Sequence, residues 1–167
     1  SYRIALDQGA LPCLLRVTSG ATVLHSLAQG SGSTARANLT PVSELIVARL
    51  AGGNPAAYFG AFDAASAPAA TEVQAAIAAV TALLQDAGID LSGVDVLGGT
   101  LVAANGGTAG NEFDQALDVL KAKLDDAGVT LVELRDTFGA DGSGPPAEAL
   151  NANPSLPIEL KLRAAAP

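Results

Sequence analysis

Two similar segments, TEVQAAIAAVTALLQDAGIDLSGV at residues 71–94 and NEFDQALDVLKAKLDDAGVTLVEL at residues 111–134, define the helical part of this chain. The copies align without a gap at a constant spacing of 40 residues, and the Asp-Ala-Gly at 86–88 falls on the Asp-Ala-Gly at 126–128. This spacing favours a pseudo-symmetric pair of helical units. Convergence stays open as the alternative, because alanine-rich helices with glycine stops resemble one another by composition.

Each copy carries the apolar spacing that lines one face of an α-helix. The positions concerned are Val73, Ala76, Ile77, Val80 and Leu84 in the first copy, and Phe113, Ala116, Leu117, Leu120 and Leu124 in the second. We expect Thr71 and Asn111 to cap the two helices, because their side-chain oxygens can accept hydrogen bonds from the first free amides.

Both units contain a glycine where the helix is expected to end. Gly88 and Gly128 can adopt the left-handed conformation of a helix stop, and the apolar residues that follow them fold back onto the helix. Leu91 and Leu131 then restart the apolar pattern. Each unit is therefore predicted to be a long helix, a glycine stop and a shorter second helix.

The composition limits both the core and the partners. Of the 167 residues, 49% are hydrophobic but only 4% are aromatic, so Ala, Leu, Val and Ile fill the core. The formal net charge of −8 argues against binding to nucleic acids and against adhesion to anionic membranes, since both need Lys and Arg. No apolar run approaches the roughly 20 residues of a membrane span, which predicts no membrane insertion.

The start of the chain, at Ser1, has no signal peptide with a basic beginning and an apolar middle. Tyr2–Leu6 alternates at once like a strand. We interpret the chain as a mature or excised fragment of a longer precursor, although trimming of the expressed segment would look the same.

The pattern predicts an α+β fold with three parts. Residues 1–37 are expected to form β-strands, with a turn at Ser19-Gly20. Residues 38–140 form the alanine-rich helical domain that contains both repeat units, and residues 141–167 form a Gly/Pro-rich linker followed by an alternating strand at 158–163. We expect that last strand to return to the N-terminal strands, giving a small antiparallel sheet of about four strands. The predicted strands, besides the last, are Tyr2–Leu6, Cys13–Thr18 and Thr22–Leu27.

The helical domain begins where the sequence period changes from 2 to 3.6. Thr40 is the expected N-cap and Pro41 occupies the first helical position, where a missing amide costs nothing. Gly52-Gly53 is expected to stop this helix, and Asn54-Pro55 to start another. The expected buried face is Val42, Leu45, Ile46 and Leu50. Between the repeats, 98–110 is predicted to be a flexible connection with one short ordered piece.

Chemistry-bearing residues are sparse. Cys13 and His25 are the only residues of their types, and two facing strands could bring them together as a nucleophile and base. No third group orients them in the pattern, so we expect Cys13 to pack as a small apolar residue or to pair with a cysteine outside this chain. His25 is expected on a strand surface. One Cys and one His cannot supply the usual zinc ligands.

Two loops partly resemble a phosphate-binding loop and a calcium-binding loop. Residues 29–34, QGSGST, lack the lysine and the glycine spacing of a phosphate-binding loop, and a linker explains them better. Residues 141–144, DGSG, lack the further acidic ligands of a calcium loop. Asp86, Asp125 and Asp126 lie at helix ends, where we expect them to be solvated. The sequence therefore assigns no catalytic, cofactor-binding or metal-binding residue.

One family resemblance covers roughly residues 11–138. The segment 37–48, ANLTPVSELIVA, followed by NPAAYF at 54–59 and by FDQALDVL at 113–120, resembles an alanine-rich region of secreted or lipid-anchored modular surface proteins of proteobacteria. In those proteins the region often follows an immunoglobulin-like or transthyretin-like β module, whose last strands look like CLLRVT at 13–18. The resemblance implies a cell-envelope or extracellular location and carries no catalytic residues.

Three functions follow as hypotheses. The first is a non-enzymatic structural or interaction module of the bacterial surface, without a cofactor. The second is a self-assembling subunit whose terminal strand completes the sheet of a neighbour. The third is a small hydrolase or ligand-binding domain that uses Glu44, Asp63 or His25 in a cleft between sheet and helices.

Overall fold

The computed structural model describes residues 11–30, 34–63 and 65–141. Two strands and five helices follow one another in this part of the chain, which confirms the α+β class. They are β1 (Cys13–Ser19), β2 (Thr22–Ala28), α1 (Pro41–Leu50), α2 (Pro55–Ala61), α3 (Ala70–Asp86), α4 (Glu112–Ala127) and α5 (Leu131–Asp141). The predicted strands at 2–6 and 158–163 lie outside the described residues, as does most of the linker from residue 141 onward.

The β1 and β2 strands form an antiparallel hairpin, as predicted. The register pairs Cys13 with Ala28 at one end and Ser19 with Thr22 at the other, so the turn is Gly20-Ala21, one residue later than expected. Gly20 has a φ of 58°, which a hairpin turn of two residues requires and which glycine adopts without steric cost.

The first helix, α1, starts as its sequence predicts and is buried more completely. Thr40 Oγ1 accepts from the amide of Ser43, and Ser43 Oγ accepts from the amide of Thr40, which makes a reciprocal cap. Every residue from Val42 to Ala48 is buried, because α1 contacts β2, α3 and α5. The predicted buried face was Val42, Leu45, Ile46 and Leu50. More of α1 is buried than this face, whereas Leu50 itself is only partly buried.

The first helix of each repeat unit has the predicted stop and most of the predicted face, of which Ile77 and Leu117 are only partly buried. Gly88 and Gly128 have φ values of 77° and 64°, and the amides of Ile89 and Val129 bond to Leu84 and Leu124 carbonyls five residues back. This is the hydrogen-bond pattern of a left-handed helix stop. The buried residues of α3 and α4 are equivalent in the two units: Val73, Ala76, Val80 and Leu84 in α3, and Phe113, Ala116, Leu120 and Leu124 in α4.

The cap of α4 is Asn111, as predicted, but the cap predicted for α3 is wrong. Asn111 accepts from the amide of Asp114. The helix α3 begins two residues earlier than expected, with Ala69 as its N-cap, and Thr71 lies within its first turn. The side chain of Glu72 accepts from the amide of Ala69, so the carboxylate three residues on satisfies this helix start without a capping oxygen from Thr71.

The second helix of the unit forms only in the second copy. Thr130 and Glu133 exchange hydrogen bonds that cap the start of α5. In the first copy Gly93 stands in the place of Glu133, with a φ of 77°, and Asp90 accepts instead from the amide of Ser92. A side chain that bonds its own nearby backbone competes with helix formation. Residues 91–99 consequently form turns, and the prediction of a helix there was wrong.

The connection from 98 to 110 has one isolated bridge, between Asn105 and Thr108. It is tied to α4 by Asn111 Nδ2, which donates to the Thr100 carbonyl, and by Asp114, which accepts from the amide of Ala104. The connection thus contains a short ordered piece at 105–108, and its predicted flexibility stays a prediction.

Candidate functional site

The single histidine is buried inside the fold. His25 lies on β2 with 1% of its surface exposed, so the prediction of a surface position was wrong. The reason lies nineteen residues further along the chain, where the first turn of α1 supplies a carboxylate that receives the ring. A polar side chain can be buried when it makes hydrogen bonds to such a partner.

Glu44 of α1 holds His25 by two hydrogen bonds. Its Oε2 atom accepts from the main-chain amide of His25 and lies 2.9 Å from the ring Nδ1. Because an ionised carboxylate only accepts, Nδ1 is the protonated nitrogen in this contact. Glu44 itself is 1% exposed, so both partners have given up their contact with water.

Arg135 of α5 completes the cluster from the other side. Its Nη1 atom lies 3.3 Å from Glu44 Oε1, and its other guanidinium nitrogens bind Asp136. Burial alone would lower the pKa of Arg135, but the hydrogen bonds and charges of Asp136 and Glu44 outweigh it and hold this pKa above its ordinary value. The partly exposed Arg135 thus provides a positive charge beside the buried carboxylate of Glu44.

Ser43 binds the same strand residue as Glu44. Its hydroxyl lies 2.8 Å from the main-chain carbonyl of His25 and 2.9 Å from that of Thr40. Ser43 and Glu44 together satisfy both main-chain groups of His25. The cluster of His25, Ser43, Glu44 and Arg135 therefore joins β2, α1 and α5 into one unit.

A histidine with a carboxylate on Nδ1 has the arrangement of a general base, but here the reactive nitrogen is enclosed. His25 Nε2 is buried and has no hydrogen-bond partner among the described residues. The ring of Phe59 packs against the imidazole, with centroids 5.8 Å apart and planes inclined at 54°. A general base must come within hydrogen-bond reach of the proton that it takes, and nothing in the described part of the chain provides such an approach.

The other predicted site residues do not join this cluster. Cys13 is three residues from Arg16, the cross-strand partner of His25, so its side chain projects from the opposite face of the hairpin. The pKa of the Cys13 thiol is raised by burial, which disfavours the reactive thiolate. A nucleophile pair of Cys13 and His25 is therefore not formed.

Asp63 lies in an exposed turn after α2. Its carboxylate accepts from the amides of Ala65 and Ser66, and hydrogen bonds with Ser66 and then with Ala65 hold its pKa below the ordinary value. These bonds occupy the carboxylate in shaping its own turn, and they stabilise the charged form. Asp63 is thus separate from the buried pair of His25 and Glu44.

One shallow pocket of about 280 Å³ lies at the start of α4, beside Asp95, Thr100, Glu112 and Phe113. Its lining contains none of His25, Glu44 and Asp63. This pocket therefore does not bring together the three residues of the predicted hydrolase or ligand-binding cleft.

Sequence reasoning did not identify Arg135 as part of the cluster. The available signal was indirect, since Glu44 is the one charged residue in the run from Val42 to Ala48, and a buried carboxylate requires a partner.

Among the acidic residues at helix ends, Asp125 forms an exposed ion pair with Lys121, one helical turn earlier. That contact is solvated, as expected, and exposed pairs contribute little to stability.

The described residues contain no group of three or more His, Cys, Asp and Glu side chains placed to hold a metal ion. Among the helices of this described part, none has the length and apolarity needed to span a bilayer. Comparison with known proteins found no matching family model, no similar curated protein and no similar solved structure.

Proposed function

We propose that this chain is a non-enzymatic structural or interaction module of a bacterial cell-envelope or secreted protein. The observation that carries the proposal is the enclosure of the His25–Glu44 pair. Both side chains take part in the hydrogen bonds and the ion pair that join β2 to α1 and α5. Groups that could do acid–base chemistry are thereby used to hold the fold together.

The surface charge is consistent with this role. A net charge of −8 favours solubility and repulsion between copies. The proposed location in the cell envelope or outside the cell rests on the resemblance of residues 11–138 to modular surface proteins of proteobacteria.

Complementation of a strain that lacks the gene tests the proposal. The full-length tagged protein and a His25→Leu/Glu44→Leu variant are expressed from the native promoter, and far-UV circular dichroism confirms that the variant is folded. Cell fractionation and proteolysis of intact cells locate each protein, and detergent sensitivity reports envelope function.

A structural module predicts that the folded double variant restores detergent resistance and reaches the same fraction as the unmodified protein. Asp126→Asn, an exposed change outside the cluster, is the matched control. If the double variant is folded and correctly located but does not restore detergent resistance, the pair of His25 and Glu44 has a chemical role. Recovery of the unmodified protein from the cytoplasmic fraction would contradict the proposed location.

A second candidate function is a self-assembling surface subunit that uses β-strand addition. The observation that favours it is the outer edge of β1, which pairs with no other strand among the described residues. Light scattering after size-exclusion chromatography tests this candidate, because assembly predicts a mass that rises with concentration. A constant monomeric mass would contradict it.

A further inference from the structure

The two edges of the hairpin differ in their hydrogen-bonding capacity. At the β2 edge, Ser43 and Glu44 of α1 bind the carbonyl and the amide of His25, as a neighbouring strand would do. The middle of this edge is therefore closed by side chains of α1. No described residue closes the edge of β1 in that way.

The register identifies which β1 groups face outward. Both main-chain groups of His25 point to α1, so His25 and its partner Arg16 form a pair that makes no main-chain hydrogen bonds between the two strands. The groups of Arg16 therefore point away from β2, and the period of two extends this to Leu14 and Thr18. Arg16 and Thr18 are exposed, and Val17 between them is 40% exposed.

We propose that residues 158–163 of the same chain, IELKLR, add to this edge as an antiparallel strand with Glu159 opposite Arg16. The segment alternates cleanly, and its six residues are one fewer than the seven residues of β1. In this register Ile158, Leu160 and Leu162 stand opposite Val17, Leu15 and Cys13. The added apolar residues then lie on the hairpin face that carries apolar side chains of β1.

Charge complementarity distinguishes this segment from the other strand-like sequence, Tyr2–Leu6. A symmetric hairpin through residues 7–12 would place Arg3 directly opposite Arg16. Like charges in directly opposed positions destabilise a strand pair, whereas Glu159 opposite Arg16 stabilises it. The guanidinium of Arg16 lies over the ring of Phe59, at 4.5 Å from its centroid, which fixes the position of this charge.

Sixteen residues connect α5 to this segment. Residues 142–157 follow α5 and can span about 50 Å when extended. A strand tethered in this way reaches an effective concentration in the millimolar range, so its own edge is favoured over that of a second copy. The proposal goes beyond the module function proposed above and competes with the self-assembling subunit, which would leave the same edge of β1 open to a neighbour. The test uses purified protein, so its failure is distinct from failure of complementation.

Disulfide formation in the full chain tests the register. In a Cys13→Ser background, Val17→Cys is combined with Ile158→Cys, or with Leu162→Cys as the control in a shifted register. Val17 and Ile158 would form a pair with close Cβ atoms, which suits a disulfide. We expect the first pair to oxidise at least ~tenfold faster than the second and to give a monomer by light scattering.

Equal rates for the two pairs would overturn the proposal, as would a disulfide-linked dimer, which would show that a second copy supplies the strand. A charge exchange provides an independent readout in the Val17→Cys/Ile158→Cys protein. Glu159→Arg is expected to slow oxidation several-fold, and addition of Arg16→Glu to restore it. An unchanged rate in Glu159→Arg would contradict the pairing of Arg16 with Glu159.

Discussion

The carboxylate of Glu44 accepts two hydrogen bonds from His25, one from the main-chain amide and one from the ring Nδ1. This side chain therefore satisfies a strand edge and a buried imidazole at the same time. Arg135 supplies the neutralising charge from a helix ninety-one residues further along the chain. The contact explains why a carboxylate can be buried in the first turn of α1.

Removal of that carboxylate should destabilise the fold strongly. We expect Glu44→Leu to lower the free energy of unfolding by about 3–5 kcal/mol, because it leaves the His25 amide and Arg135 without their partner. Urea denaturation followed by circular dichroism measures the change. The exposed variant Asp126→Asn should stay within about 0.5 kcal/mol of the unmodified protein.

The coupling of the pair should appear in a double-mutant cycle. His25→Leu/Glu44→Leu is expected to cost less than the sum of the two single changes, because each single change leaves a buried group unpaired. Additive costs would show that the two residues do not depend on each other.

The two glycine stops should respond alike to alanine. Gly88→Ala and Gly128→Ala should each destabilise the protein by about 1 kcal/mol, since both residues have positive φ and an added Cβ would meet no other atom within 4 Å. Gly60→Ala in α2 is the matched control, because it too has open space but lacks a positive φ. We expect it to be neutral or slightly stabilising in thermal denaturation. A loss of stability in the control equal to that of the stops would contradict the conformational explanation.

The equivalent leucines of α3 and α4 should contribute comparably to the core. Leu84→Ala and Leu124→Ala should each cost about 2–5 kcal/mol, because both side chains are buried in the same cluster. Val119→Ala, at an exposed position of α4, should have little effect. Chemical denaturation of the three variants measures this difference, and similar values for all three would refute the assigned faces.

The cap of α5 should make stability depend on pH. Hydrogen bonds from the amide and hydroxyl of Thr130 hold the pKa of Glu133 below its ordinary value. The folded pKa is the lower one, so the stabilisation is complete above the unfolded pKa and is lost as the pH falls through the folded pKa. The advantage of the unmodified protein over Glu133→Gln should shrink on acidification from neutral pH, as measured by thermal denaturation. In a Thr130→Ala background this pH-dependent difference should become smaller, and an equal dependence there would exclude the cap as its cause.

The repeated helices could be predicted because their information is local. The apolar spacing from Val73 to Leu84 is a property of one helix, and Gly88 and Gly128 each follow directly on the helix that they stop. Such signals can be recognised from neighbouring residues alone. The missing second helix of the first unit was a different case. There Gly93 stands in the place of the capping glutamate of the second unit, and the side chain of Asp90 accepts a hydrogen bond from the amide of Ser92.

The buried cluster could not be predicted because its parts are distant in sequence. The partner of His25 is nineteen residues away, and Arg135 is ninety-one residues from Glu44. No periodicity connects such positions, so the pattern alone left His25 on a surface. Only the packing of β2, α1 and α5 around one carboxylate brings the three side chains together.

The accessibility of His25 tests the central claim, that its imidazole is a structural group closed to reactants. His25 is the only histidine in the chain, so modification by diethyl pyrocarbonate reports this ring alone in mass spectrometry of histidine-containing peptides. We expect the native protein to resist modification and the urea-unfolded protein to react at the rate of a free histidine. Modification of the native protein at the unfolded rate would contradict it, because the Nε2 atom would then be open to a substrate.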